Sequence, residues 1–551
     1  MEYSKNFVKL LNRIGNEESF ENVVWFTENR FSCLDDTNIL QTTESIPKVF
    51  INNRNIFPLR EKFNSQMLAV VCVTKLEEFR LVEVVAVNFN QMRSARIIIL
   101  AFWKEVTVDH IQNIFQLYNQ NYLLNVILLV NNFSLTDNYY SYQAFPTLTV
   151  ETHNLFEGKL FYINHLSNLH GQPLLTYPDQ LQPRTLLFRN AKGNIEMIGY
   201  IGRLLTTYAQ KINATLTFSH EIEIGKSIFF TVLLQMTQNR TLDIPASIAS
   251  LNEVSELKQY SRFIEISKWF PMVPVADPIP RSNIYALLFY TKMGLVLIGF
   301  YIIFSTLLTV HKSLFSKQKI YRILMDLIIN EQTLLALLNI AYPRMYKFNS
   351  FIRLMIILLS ITGLVFSTTF ATYMLSFLTS LPLEEELNSF NDLKRRHMTI
   401  LESTWGANLL ELYAGNDLNK SMGFATNSAL WSVYEEQQRY FNRKMFRTAP
   451  KMYFSNFMIY ALPLPENSIF EESLNRFIGQ IHDTGIFKHW YLSTFFDMIT
   501  VGVMSFKDFS TPLNFEAATV EDFYWIWLFC GCGLITSILL FIVELIWKQC
   551  N

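Results

Sequence analysis

The chain has 551 residues, a net charge of −1, 50% apolar residues and a mean hydropathy of +0.17, with 47 Phe and 25 Tyr. Such a length calls for several domains, and the balanced charge offers no electrostatic footprint for a nucleic acid, so no nucleic-acid partner is expected. No serine, cysteine or carboxylate sits in a recognisable catalytic constellation, and His165, His170, His482 and His489 are scattered without metal-ligand spacing. Neither an enzyme nor any cofactor or metal is therefore expected.

Met1 to Gly15 lacks the apolar core of a secretory signal and reads as an amphipathic helix with Phe7, Leu10, Leu11 and Ile14 on one face. From Val23 to about Val150, β-rich runs at Leu68 to Val73, Val82 to Val87, Arg96 to Phe102 and Leu124 to Val130 alternate with a helical stretch, Val108 to Tyr118. That alternation predicts an α/β domain. Cys33 and Cys72 form one disulfide or remain two buried thiols. Zinc ligation by Cys530 and Cys532 is implausible inside an apolar run.

Leu186 to Asp277 is a second α/β segment. A strand at Leu186 to Phe188 and a turn at Asn190 to Gly193 precede Ile201, Leu204, Leu205, Tyr208, Ala209 and Ile212, which share one helical face. Gly199 and Gly202 lack the three-glycine dinucleotide spacing and read as the turn into that helix.

The runs Ile284 to Val310, Phe351 to Ser380 and Phe523 to Ile546 are each long enough to cross a bilayer, which takes roughly 20 apolar residues. Leu324 to Ala341 is shorter and broken by Asp326, Asn330, Glu331 and Gln332, as expected of a re-entrant pore helix. Thr369, Thr372 and Ser376 load the last turns of the second run with hydroxyls, better suited to lining water or packing on other helices than to facing lipid. Lys312, Lys317, Lys319 and Arg322 follow the first run, whereas Glu384, Glu385 and Glu386 follow the second. By the positive-inside rule the first loop is cytoplasmic, and the amino-terminal part and Pro382 to Asp522 are outside. The sequons at Asn132, Asn213, Asn239 and Asn419 all fall in the expected outside portions, as glycosylation sites would. An outside amino terminus then needs a removed signal, a different start, or a first span that acts as the insertion signal.

In Pro382 to Asn514, Ile459 to Pro463 reads as a strand end. Ser468-Ile-Phe-Glu471 reads as a capping box opening a helix with Phe470, Leu474, Phe477, Ile478 and Ile481 inward. Gly485 closes it, and Phe487 and Trp490 are apolar in the turn that follows.

This order of outside segment, span, re-entrant helix, span, outside segment and last span resembles ionotropic glutamate receptors, and more closely the insect chemosensory ionotropic receptors. The family's third-span motif, serine-tyrosine-threonine-alanine-asparagine-leucine-alanine-alanine-phenylalanine-leucine-threonine, overlays Thr369 to Thr379 without a gap. Phe377, Leu378 and Thr379 are identical, Thr369, Phe370 and Met374 are conservative, and the same register puts the family's span-opening arginine on Arg353. Asn168 to Gly171, Pro183-Arg184, Gly199-Tyr200, Asp392-Leu393 and Leu474 through Trp490 are similar to the borders of the two half-domains, so the resemblance runs from Asn168 to the carboxyl terminus.

The resemblance implies a two-lobed extracellular α/β ligand-binding domain plus an α-helical transmembrane channel domain of three spans and a re-entrant pore helix. Its parts would be an amino-terminal α/β region (1–180), a first half-domain (181–283), a span (284–310), a cytoplasmic loop (311–323), a pore helix (324–345), a channel-lining span (351–380), a second half-domain (381–518), a last span (523–546) and a cytoplasmic tail (547–551). Tyr260 stands where glutamate-binding members grip the ligand carboxylate with arginine, and Arg262 is the nearest arginine. Ser403, Thr404 and Glu435 occupy the second half-domain's ligand positions, Thr369, Thr372, Tyr373 and Ser376 the gate, and Ile340, Ala341 and Tyr342 the pore tip. Each has a plainer reading. Arg262 would lie over Phe263, Ser403 and Thr404 would cap a helix, and Glu435 would be a solvated helix-face acid.

The implied function is a chemosensory ligand-gated cation channel subunit that does not bind glutamate. It would sit multi-pass in the plasma membrane among lipid, take a small-molecule ligand and form tetramers with co-receptor subunits. The alternative is a non-conducting membrane receptor or a partner-trafficking subunit. A transporter is disfavoured because the chain has no paired repeats.

Overall fold

The computed structural model describes residues 2–28, 46–52, 56–64, 66–75, 81–103, 106–131, 133–251, 259–290, 292–315, 330–340, 349–402, 409–415, 422–510 and 519–550. The chain folds as two units that interleave in sequence, Met1–Val273 with Lys394–Ser510 and Pro274–Leu393 with Thr511–Asn551.

The first unit begins with a mixed α/β sheet. Strands β1 (Asn22–Thr27), β2 (Lys48–Asn52), β3 (Met67–Val73), β4 (Arg96–Ala101), β5 (Val126–Val130), β6 (Asn138–Gln143) and β7 (Thr149–Asn154) lie in the order β2-β1-β3-β4-β5-β6-β7. Pairing is parallel through β5 and antiparallel beyond it. Successive strand residues point to opposite faces, so Ala69, Val71, Ile97 and Ile99 join one core while Leu68, Val70, Ile98 and Leu100 join another. The amino-terminal helix Glu2–Glu17 closes the second core with Phe7, Leu10, Leu11 and Ile14, all buried as their spacing predicts. Cys72, near the end of β3, is disulfide-bonded, while Cys33 lies outside the described residues.

One expected strand is a helix. The run Val82 to Val87 lies in the helix Leu81–Asn88, because Val82, Val85, Ala86 and Phe89 face the core at helical spacing while Glu83 and Val87 face out. Periodicity overrides the strand preference of its β-branched residues. The helical stretch expected from Val108 does form, as Val108–Gln120.

Farther along, β8 (Pro173–Thr176) pairs in parallel with β11 (Thr215–Phe218), and β9 (Leu186–Arg189) forms a hairpin with β10 (Ile195–Ile198) across the turn at Asn190 to Gly193. A second large sheet has the order β12-β17-β13-β15-β14, built from β12 (Ala249–Ser250), β13 (Tyr260–Pro274), β14 (Thr399–Glu402), β15 (Met422–Asn427) and β17 (Ser455–Pro463), with β16 (Phe446–Thr448) on β13. The long strand β13 links two cores. One surrounds the helix Tyr200–Lys211 and includes Ile264, whereas the other includes Met272, Phe424 and Phe446.

Phe470, Leu474, Phe477, Ile478 and Ile481 of the helix Glu471–Asp483 and the residue before it are buried in the first of these cores. The expected capping box does not form. Ser468 Oγ accepts from Phe470 N–H at 3.3 Å, and the Glu471 carboxylate is drawn away by the Gln259 side-chain amide. Gly485, at φ +73°, carries the chain into the helix Ile486–Thr500.

The second unit holds three helices long and apolar enough to cross a membrane, Gly294–Leu314, Ser350–Phe377 and Val520–Val543. The first lies later than the expected 284–310, because Arg281–Tyr290 and Lys292–Phe315 are two helices and the apolar window belongs to the second. Of the expected pore helix, Glu331–Leu337 is described, with Asn330 Oδ1 capping it by accepting from Thr333 N–H at 3.2 Å. Asn330 also ties it to the first span, its backbone N–H donating to Tyr301 Oη at 3.0 Å. Gly363 brings the helix Ser350–Thr379 hard against the other end of Glu331–Leu337, since a Cβ there would lie 2.5 Å from the Ala336 carbonyl oxygen. The chain segments entering and leaving these helices are tied together. Ile279 N–H donates to the Pro382 carbonyl at 2.8 Å and Glu384 N–H to the Asp277 carbonyl at 2.9 Å.

Candidate functional site

A buried polar cluster gathers where β13 and β17 meet the helix Tyr200–Lys211. Gly199 makes the approach possible. It has φ +85°, and a Cβ there would meet the Arg184 carbonyl oxygen at 2.5 Å; that oxygen instead accepts from Ile201 N–H at 3.1 Å. The helix start is fixed from a second side by Asp497, whose carboxylate accepts from Gly199 N–H at 3.3 Å and pairs with the Arg203 guanidinium in a fork.

Arg184 is 9% exposed, and its guanidinium carbon lies 4.9 Å from the centre of the Tyr460 ring. Two buried carboxylates, Asp179 and Glu265, act on its charge. Asp179 is fully satisfied, accepting from Leu181 N–H at 3.0 Å, Ser247 Oγ at 2.7 Å and the Thr185 hydroxyl. Glu265 is different. Its side chain is turned inward because the β13–β17 register shifts between Phe263 and Glu265, which breaks the strand alternation. The Tyr200 hydroxyl and Glu265 Oε2 lie near one another, yet neither makes a hydrogen bond of good geometry. Burial raises the Glu265 carboxyl above its ordinary range, against the opposing pull of Arg184, and burial raises Asp179 likewise. The Tyr491 ring, 5.2 Å from that of Tyr200, adds a third aromatic wall.

Such an arrangement can donate and accept hydrogen bonds in a water-poor, aromatic setting, and its two carboxylates outnumber its guanidinium. Among the described residues no group of His, Cys, Asp and Glu is placed to hold a metal ion.

The residues singled out by sequence lie elsewhere. Tyr260 opens β13 opposite Pro463 and is half-buried. Arg262 is exposed, its guanidinium carbon 5.8 Å from the centre of the Phe263 ring, which is the plainer of its two readings. Glu435 is half-exposed on the helix Ser428–Gln437, 4.0 Å from Lys444 Nζ, again the plainer reading. Ser403 and Thr404 lie outside the described residues, as do Ala341 and Tyr342 of the pore tip; Ile340 is exposed. Asn213 and Asn239 are exposed, whereas Asn132 and Asn419 lie outside the described residues.

On the helix Ser350–Thr379, Thr369, Thr372, Tyr373 and Ser376 share one face by their three- and four-residue spacing. The Thr369 hydroxyl donates to the Val365 carbonyl at 2.6 Å and that of Thr372 to Thr368 at 2.8 Å. Both hydroxyls are thus satisfied within their own helix. Sequence reasoning reached Arg184 only through the resemblance and missed Asp179, Glu265, Tyr460 and Tyr491 as site residues. The signal available was Glu265, set between Ile264 and Ile266 in a strand-like run.

No protein-family model matches the chain, and no curated protein matches it at a significant level.

Proposed function

We propose that the chain is a ligand-gated cation channel subunit of the chemosensory kind, resembling the insect chemosensory ionotropic receptors and not binding glutamate. The observation that carries this reading is the interleaving of the two units. Residues 1–273 and 394–510 fold together although a membrane-length helix pair is inserted between them, and a further span follows. A ligand-binding domain made of two sequence halves explains that order: β13 would act as its hinge, and the two cores it joins as its lobes. Closure of the lobes on a ligand would pull on the cross-tied segments around Ile279 and Pro382 and splay the third-span helices. A ligand opens such a channel only by binding the closed form better than the open one.

The ligand is a neutral or cationic small molecule. Tyr260 replaces the carboxylate-gripping arginine, and the buried Arg184 is already opposed by Asp179 and Glu265. The disulfide at Cys72 and the exposed sequon residues Asn213 and Asn239 support an outside location for the first unit; the plasma membrane and a tetramer formed with co-receptor subunits in lipid come from the resemblance. State-dependent labelling tests the gate. Cysteine at Thr369, Thr372, Tyr373 or Ser376 should react faster with a water-soluble thiol reagent when ligand is present, and equal slow labelling at all of them in a responsive channel would remove the gate from this face.

A further inference from the structure

A cavity of about 630 Å³ in the first unit lies away from the polar cluster, between the amino-terminal sheet and the helix Glu471–Asp483. Domain junctions are favoured places for small-molecule sites, and the volume is that of a drug-sized ligand. Four arginines line it, Arg60, Arg93, Arg96 and Arg476. Three of them are held mainly by neutral acceptors. Arg60 donates to the Gln91 carbonyl at 3.1 Å and to Gln91 Oε1 at 2.8 Å, Arg93 to the Ala86 and Phe89 carbonyls at 2.7 and 3.0 Å, and Arg96 to the Glu18 and Ser19 carbonyls at 2.7 and 3.1 Å. Carbonyl oxygens satisfy the donors but leave the charge. Carboxylates oppose them in part: Glu472 lies 3.0 Å from Arg476 and Glu18 3.9 Å from Arg96, while Glu466 and Glu471 act on Arg93 and Arg60. The Glu471 carboxylate in the same wall is occupied by Gln259.

Arg93 is the most exacting member. Its Nε–H is buried without a hydrogen-bond partner, and burial together with the charge of Arg240 lowers its pKa to about 10, with the Glu466 carboxylate opposing. That unpaired donor, on a side chain lining the cavity, is one an anionic guest would satisfy. We infer that this junction cavity is a second binding site, distinct from the polar cluster, for a small organic anion bearing carboxylate groups. It does not depend on the proposed channel activity, because its chemistry is that of the cavity alone.

Citrate is the probe, added to the purified full chain in detergent, with sodium chloride at matched ionic strength as the reference. Citrate should raise the unfolding temperature saturably beyond the chloride reference. Arg60→Gln and Arg476→Gln, at exposed positions compatible with folding, should each weaken citrate about tenfold, the loss of one charge-assisted hydrogen bond. Arg189→Gln, on the exposed β9–β10 hairpin, should leave the affinity unchanged. Stabilisation no greater than that of chloride, or an affinity unaltered in both Arg60→Gln and Arg476→Gln, would overturn the assignment.

Discussion

The Arg184 guanidinium lies over the Tyr460 ring at 4.9 Å from its centre, so a full charge is kept at 9% exposure by an aromatic face and two buried carboxylates. Removing it takes away the charge that opposes the burial of Asp179 and Glu265 and the contact with Tyr460. Arg184→Gln is therefore expected to cost about 1–3 kcal/mol of stability and to lower the unfolding temperature. Arg184→Lys keeps the charge but loses the planar face, and should recover part of that loss. Thermal unfolding of the purified chain measures both, and an unchanged unfolding temperature in Arg184→Gln would contradict the cluster as described.

His165 gives the chain an acid limb. Its Nδ1 accepts from Ala144 N–H at 3.3 Å, and burial lowers its pKa from 6.5 to about 4, with the Leu124 carbonyl opposing. A group depressed in the folded state contributes stability that is present above pH 6.5 and lost as pH falls toward about 4, because only the unfolded chain takes up the proton in that window. The full contribution is about 3 kcal/mol, at roughly 1.4 kcal/mol per pH unit. Unfolding temperature should fall over this range in the native chain and fall less in His165→Gln. Parallel pH profiles would show that His165 is not the source.

Gly363 is tested by size. Its missing Cβ would meet the carbonyl oxygens of Ala336 at 2.5 Å and Leu337 at 2.7 Å, both backbone atoms that cannot swing aside. Gly363→Ala should cost about 1–3 kcal/mol by overpacking and lower the yield of folded protein. Gly531→Ala, with nothing within 4 Å of the new methyl, should behave as the native chain. Equal behaviour of the two would separate the short helix from the third span.

Much of the local structure was legible in the sequence, because apolar periodicity reports burial directly. The amino-terminal helix, the face of Tyr200–Lys211 and the buried side of Glu471–Asp483 follow from it. Val82 to Val87 shows where composition misleads and spacing decides. The site was far less legible. Glu265 is buried because a register shift turns it inward, which strand alternation does not reveal, whereas Tyr260 and Arg262 came from the family's spacing counted back from Ile266-Ser267. Asp179 and Arg184 come near Glu265 through pairings that span long stretches of chain, which no local pattern encodes.

Topology follows from charge. A sequon engineered into residues 312–322 should remain unmodified, whereas Asn239, exposed at the end of the helix Phe230–Gln238, should carry glycan. Glycan mapping after expression in insect cells reads both at once. Modification of the engineered site would invert the orientation.

Current is the most direct measurement of the central claim. Cells expressing the chain with co-receptor subunits should give an inward cation current evoked by neutral or amine chemicals and not by glutamate, and the current should disappear when Ala replaces Glu265. A ligand response that persists unchanged when this chain is omitted, or one evoked by glutamate at low concentration, would contradict it.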